Sequence, residues 1–325
     1  MTPSTPSSDY MIDRRKLRRK LGFWRIAAIG AAATAALVAF TTVSGVDSTN
    51  KATPHIARLA IEGVITGDKD TLELIKNIGD SQARAVLVTI ASPGGTTTGA
   101  ERLYDELRHL AEKKPTVAVV GTMAASGGYI AALATDQIVA RGTSLVGSIG
   151  VLFQYPNVQK LLENVGVKVE EVKSSPLKAA PNGFEPTSEA ARAAIADLVS
   201  DSYAWFKGLV QERRKLDDAE LAKVSDGRVF TGRLAGPLKL VDLIGGEREA
   251  IEWLETNKGV AKKLPVRDWK KKSSLERLGL VDGAARVAGA LGYPSLAGSL
   301  EQAALGAERA SLDGLLAIWH GSSAN

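Results

Sequence analysis

The stretch RAVLVTIASPGG, residues 84–95, decides the fold. After its arginine it is almost wholly apolar up to the serine, rich in β-branched residues, and without polar alternation. A run of this kind fits a strand covered by protein on both faces, as in a parallel sheet layered with helices. The serine, proline and glycines that end it read as a turn. Outward from it, strand and helix patterns alternate. HIARLAIEGVI (55–65) reads as a strand and LELIKNI (72–78) as a helix. GAERLYDELRHLAEK (99–113) carries leucine at 103, 107 and 110, which is helical spacing. PTVAVVG (115–121) is a second buried strand, QIVARG (137–142) a short one, VQKLLENVGV (158–167) a helix, and KVEEVKS (168–174) a strand. Residues 187–215 begin on an N-cap, Thr187 or Ser188, and continue as a long amphipathic helix. Residues 226–254 add a short helix, a strand at 240–244 and a further helix. The alternation predicts βαβ units and an α/β fold with a mainly parallel sheet. Beyond residue 257 the pattern loosens, and peripheral helices, in part disordered, are expected over 258–325.

A basic balance of 41 Lys and Arg against 36 Asp and Glu raises the question of nucleic acid. Position answers it. Residues 1–25 hold seven basic and two acidic side chains, and the other 300 residues hold 34 of each. The excess is a tail feature, and no nucleic-acid partner is expected. The tail leads into IAAIGAAATAALVAFTTV (26–43), 18 uncharged residues, near the minimum for crossing a bilayer. Cations just before it predict a cytoplasmic N-terminus and place the bulk of the chain outside. A cleaved signal peptide competes with an anchor, because small residues follow at 43–45; the long charged segment before it favours an uncleaved anchor. The polar stretch 44–53 reads as a linker. The chain has no cysteine, so disulfides and a thiol nucleophile are excluded.

Three glycine-bearing segments follow strand patterns: SPGG (92–95), ASGG (125–128) and GSIG (147–150). In a parallel sheet such segments gather at the carboxyl edge, where ligands bind. Glycines there let another backbone approach and leave N–H groups to meet an oxyanion. Ser126 stands where a strand gives way to a helix, either as a capping residue or as a nucleophile. A serine nucleophile needs a base. Of the three histidines, His55 begins a strand, His109 lies in a helix and His320 is in the tail, so a Ser/His/Asp triad finds no support. No His, Asp and Glu cluster has metal-ligand spacing, and neither metal nor cofactor is expected. A lysine can serve as base if uncharged surroundings favour its neutral form. Lys173 and Lys178 both follow a predicted strand. Lys173 is close to Glu170 and Glu171, which favour its charged form, whereas Lys178 is followed by AAPNGF, with no acid until Glu185.

The ordered set VLVTIASPGG, GTMAASGGYIAALATDQIVA, TSLVGSIGV, VKSSPLK and DGRVFTGRLAGPLKLVDLIGG resembles the signal peptide peptidase A (SppA) family in its short form, over about residues 54–254. The resemblance implies a Clp-protease/crotonase-like ββα superhelix preceded by one transmembrane helix. It implies Ser126 as nucleophile, Lys178 as general base and Ser148 as the hydroxyl that orients the lysine. It implies oxyanion N–H groups from Gly127 and from Gly95, with Gly94 the alternative. Two departures are visible: Ser175 stands where the family has glycine, and Ile130, not a second aromatic, follows Tyr129, with an expected effect on a substrate pocket. The implied protein is a membrane-anchored Ser/Lys endopeptidase of the bacterial inner membrane. Its catalytic domain would be periplasmic, its substrates remnant signal peptides and other short apolar peptides, and its form a homo-oligomer. The chain then divides into a cytoplasmic tail (1–25), an anchor (26–43), a linker (44–53), a peptidase domain (54–257) and the C-terminal residues 258–325. The competing functions are a crotonase-type acyl-CoA enzyme and a non-catalytic membrane scaffold.

Overall fold

Strands with apolar residues at successive positions have no face to give to solvent, and the sheet they build is covered on both sides. The computed structural model describes residues 51–271 and 316–318, with positions 20, 22–25 and 30 near the N-terminus. Apart from position 30, the expected anchor at 26–43 lies outside the described residues, as do most of the basic tail, most of the linker and most of 272–325. Among the described residues no helix is long and apolar enough to cross a membrane.

The chain divides into two units, Thr53–Lys271 with Arg309–Asn325, and Met1–Ala52 with Lys272–Glu308. In the latter, Phe23 and Trp24 are exposed and meet edge to face, ring centroids 6.2 Å apart. The former holds a sheet whose described strands are β1 (His55–Ile65), β2 (Ala83–Thr96), β3 (Thr116–Ala125), β4 (Gln137–Ala140), β5 (Leu145–Gly147), β6 (Val229–Thr231), β7 (Leu243–Ile244), β8 (Val266–Trp269) and β9 (Leu316–Ile318). Its main path runs β6-β5-β3-β2-β1-β8, with β4 between β3 and β7 and β9 beside β2. Only β5–β6 and β2–β9 are antiparallel, so the fold is α/β with a mostly parallel sheet, as the sequence predicts.

The described helices of this unit are α1 (Lys69–Gly79), α2 (Thr97–Lys113), α3 (Gly127–Leu133), α4 (Gln159–Asn164), α5 (Glu189–Arg214), α6 (Asp218–Val224), α7 (Gly232–Ala235) and α8 (Glu247–Asn257). Alternation along each strand sends neighbouring residues to opposite faces. Leu59, Val86, Val88, Ala118 and Val120 join the larger core, together with Leu103 and Leu107 of α2, all of α3 beyond its glycines, and Phe206 of α5. Ile56, Leu87, Val117 and Val119 join the smaller core, against Ala250 and Leu254 of α8. Ser188, one of the two expected caps, accepts from the Ala191 N–H and starts α5.

Three expectations give way. SPGG is no turn: β2 continues through it to Thr96, with Val64 opposite Gly94 and Ile65 opposite Gly95 after a shift of register. KVEEVKS forms no strand; its residues are exposed or half-buried, and nothing in the sheet pairs with them. Beyond residue 257 the described residues form strands rather than helices, with β8 parallel to β1 and β9 on Gly94–Thr96. Strands this short carry too little periodicity to be read from sequence.

Tyr129 ties α3 to the segment after α7. Its ring is fully buried, and its hydroxyl donates to the Leu240 carbonyl at 2.8 Å. Burial raises its pKa, so it stays a neutral donor. Tyr129→Phe leaves that carbonyl without a partner in a dry site. Urea denaturation is expected to show a loss of about 1–3 kcal/mol, and unchanged stability would refute the assigned bond.

Candidate active site

Two parallel strands end level with one another. β3 pairs with β5 so that Ala125 stands opposite Gly147. Residues 126 and 148 therefore leave the sheet side by side, and both are serines. Ser126 N–H donates to the Gly147 carbonyl and Ser148 N–H to the Arg228 carbonyl, each at 2.8 Å. Both backbones are held at positive φ, 54° and 52°. With ψ at −117°, Ser126 occupies a region that costs a residue with a side chain about 1–3 kcal/mol.

The Ser126 side chain does nothing for the helix behind it. It makes no capping bond to α3. It is 1% exposed, and its Oγ has no hydrogen-bond partner. A buried, unpaired hydroxyl on a strained backbone weakens the fold on two counts. The capping reading therefore fails, and the arrangement is one in which a hydroxyl is held ready for a partner. Gly127 and Gly128 follow as the first residues of α3, whose leading amides have no partner within the helix.

The first and second glycine segments meet at Ser92. A Cβ on Gly128 would lie 2.7 Å from the Ser92 carbonyl oxygen and 3.2 Å from its Cβ, so α3 rests directly on β2. Ser92 Oγ donates to the Gly63 carbonyl at 2.6 Å and accepts from the Gly94 N–H at 3.1 Å. That bond commits the Gly94 amide to structure, and Gly95 next to it is paired with Ile65 of β1. A Cβ on Gly95 would fall 1.8 Å from the Ile65 carbonyl oxygen, so no other residue fits there. β9 runs alongside, with Ala317 opposite Gly95.

Lys178 is not part of this assembly. It lies exposed in the segment between β5 and α5, its N–H bonded to the Ser175 carbonyl at 3.1 Å. Its amine does not reach Ser126, whose Oγ is unpartnered. Lys173 is settled by its neighbours: Glu171 at 2.7 Å and Glu185 at 2.6 Å raise its pKa and hold it charged, which is wrong for a base. Of the two nearby acids, Glu170 pairs instead with Lys168. Glu185, 12 residues on, was not to be found from spacing. Ile130, which follows Tyr129, is fully buried in the larger core.

His55 is held between the Thr53 carbonyl and Trp269, at the start of β1 and so at the opposite end of the parallel sheet from Ser126. His109 lies on α2, and His320 is outside the described residues. Among the described residues no group of His, Asp and Glu could hold a metal ion.

Because α3 is set by the Gly128–Ser92 contact, Gly128→Ala is expected to push the helix and Ser126 away from β2. The expected outcome is a loss of stability of about 1–3 kcal/mol in urea denaturation. An alanine variant as stable as the parent would show that this contact does not set the position of α3.

The model for peptidase family S49 matches residues 108–261. The Synechocystis sp. protein slr0021 is 35% identical over 207 residues, which cover 63% of this chain and 75% of that one. A protein of Enterococcus faecium named for signal peptide peptidase SppA is 30% identical over 218 residues, 62% of this chain and 63% of its own. The chloroplast serine protease SPPA of Arabidopsis thaliana is 31% identical over 182 residues, 55% of this chain and 27% of its own. The match to three quarters of slr0021 and to the family model over α3 and the strands around it places this chain in peptidase family S49, among the serine peptidases.

Proposed function

We propose that the chain is an endopeptidase working through a Ser126–Lys178 dyad, with Ser148 orienting the lysine. The observation that carries this reading is Ser126: a buried, strained, unpartnered hydroxyl between glycine-rich strand ends, in a chain of a peptidase family. Its Oγ attacks the scissile carbonyl while Lys178 takes the proton. The amides of Gly127 and Gly95 receive the oxyanion, and the lysine returns the proton to the leaving amine. Of Lys173 and Lys178, the two candidates for the base, Lys173 is held by two acids, and among the described residues no ion pair involves Lys178. The covered parallel sheet supports a Clp-protease/crotonase-type superhelix. The substrates are short apolar peptides, remnant signal peptides foremost. The anchor at 26–43 holds the enzyme in the inner membrane with its domain outside, and copies associate.

Ser126→Ala is expected to remove nearly all peptide hydrolysis by the full chain in mild detergent without loss of folded structure, since alanine suits a site beside Ala124, Ala125 and Gly127. Lys178→Ala should be equally inactive, and so should Lys178→Arg, because a guanidinium does not give up its proton in the working range. Lys173→Ala should keep turnover. Activity near wild type in Ser126→Ala ends the proposal, and loss in Lys173→Ala but not Lys178→Ala reverses the choice of base. For topology, a reporter fused after Asn50 is expected to be active only outside the cytoplasm; one active only in the cytoplasm would overturn the orientation.

A further inference from the structure

α3 is held at its tail as well as at its head. The last carbonyls of a helix have no partner within it, and here they end in a dry place: Leu133, Ala134 and Thr135 are all buried. The Ala131 and Ala132 carbonyls accept from the N–H groups of Ala134 and Thr135. The next three carbonyls in succession accept from guanidiniums. Arg213 donates from Nε to the Leu133 carbonyl at 2.8 Å and from Nη2 to the Thr135 carbonyl at 2.9 Å, and Arg108 donates from Nη1 to the Ala134 carbonyl at 2.8 Å. The arginine ion pairs among the described residues involve neither of the two. Burial, and after it the charge of Arg108, lower the Arg213 pKa. Two half-buried cations side by side are a costly way to end a helix, where a single glycine or lysine commonly suffices.

We infer that Arg108 and Arg213 are positioning residues for peptide hydrolysis: they clamp the C-terminal end of α3 and so hold Ser126 and the Gly127 amide at the carboxyl edge of the sheet. The inference rests on Ser126 as the nucleophile proposed above. Two observations support it. First, α3 is short and stiff. Its seven residues span about 10 Å and are all buried, and a close-packed element passes a shift at one end to the other. Gly128 on the Ser92 carbonyl stops the helix from moving toward β2, while the backbone of Ser126 at φ 54° would relax if the helix drew back. The guanidiniums fix the end that would have to move. Second, the two arginines stand on the helices that follow the other segments of the proposed site. α2 begins at Thr97, directly after the Gly94–Thr96 end of β2, and α5 begins at Glu189, after the arm between β5 and α5 that carries Lys178. α3 packs on both helices. The serine, the oxyanion glycine and the lysine arm thus lead into one junction, and the three guanidinium bonds tie it together. Cations at this end also suit the negative pole of the helix.

The test uses the full chain in mild detergent, at a temperature where circular dichroism shows each variant folded. Peptide hydrolysis gives kcat and KM, and a small fluorophosphonate gives the rate at which Ser126 is labelled without any peptide contact. Arg213→Ala is expected to lower kcat and the labelling rate together by about tenfold or more, with KM little changed. Arg213→Lys should be slowed in the same way, because one ammonium cannot serve two carbonyls in the geometry of the guanidinium fork. Arg108 makes a single bond, so Arg108→Lys should restore most of what Arg108→Ala loses. Arg213→Ala with wild-type kcat and labelling rate overturns the inference, as does a loss confined to KM. An Arg108→Lys variant as slow as Arg108→Ala removes Arg108 from the clamp. Where Arg213→Ala does not fold, Arg213→Lys decides by the same two readings. Ser126→Ala run alongside separates the clamp from the dyad. If it is inactive while Arg213→Ala matches wild type, the dyad stands and the clamp falls; if it hydrolyses peptide, both fall.

Discussion

The carboxyl edge of the sheet depends on one close approach of backbone to backbone. The first turn of α3 lies on the Ser92 carbonyl, and only a residue without Cβ can be at position 128. That contact sets the distance between β2 and the helix, and so the place of everything at the helix head. Ser126 precedes the helix and inherits its position. Ser92 in turn is fixed by Gly63 on β1 and holds the Gly94 amide. Three segments far apart in the chain are thus located by a few hydrogen bonds and by the absence of one methyl group.

The larger core fixes the other side of that helix. Every residue from Gly127 to Leu133 is buried, and Tyr129 reaches through to the Leu240 carbonyl. An element buried all round cannot tilt to relieve strain at its start. The strain at Ser126 is therefore kept by the backbone bonds and the packing around it rather than by any bond of the serine side chain. Ser148 shares this fate through the β3–β5 register, since both serines leave the sheet one residue beyond the same rung. The arm after β5 stands in contrast: Lys178 is exposed there, its N–H bonded to the Ser175 carbonyl of the same arm.

The legible parts of the sequence were those where one physical signal dominates. Unbroken apolar runs with β-branched residues identified β2 and β3, and leucines at helical spacing identified α2. Strand ends with glycine identified the edge where Ser126 and Ser148 meet. The unread parts were those decided at a distance. SPGG has turn composition, yet β1 pairs with it and keeps it in the sheet. KVEEVKS alternates like a strand, but the sheet has no partner for it. Lys173 could be set aside from its acidic neighbours, whereas the acid that completes the pair lies beyond a loop at Glu185. Whether Ser126 caps a helix was undecidable from a string of small residues; the answer lies in a dihedral angle and an unbonded oxygen.

The dihedral at Ser126 also bears on how such a chain changes over generations. Glycine would relax the backbone there at once, and it is a small mutational step from serine. Each round of selection for stability alone would favour that step, and each round would erase the hydroxyl. A serine that persists at φ 54° with no bond to its hydroxyl is the mark of a lineage in which folding well was not the only requirement.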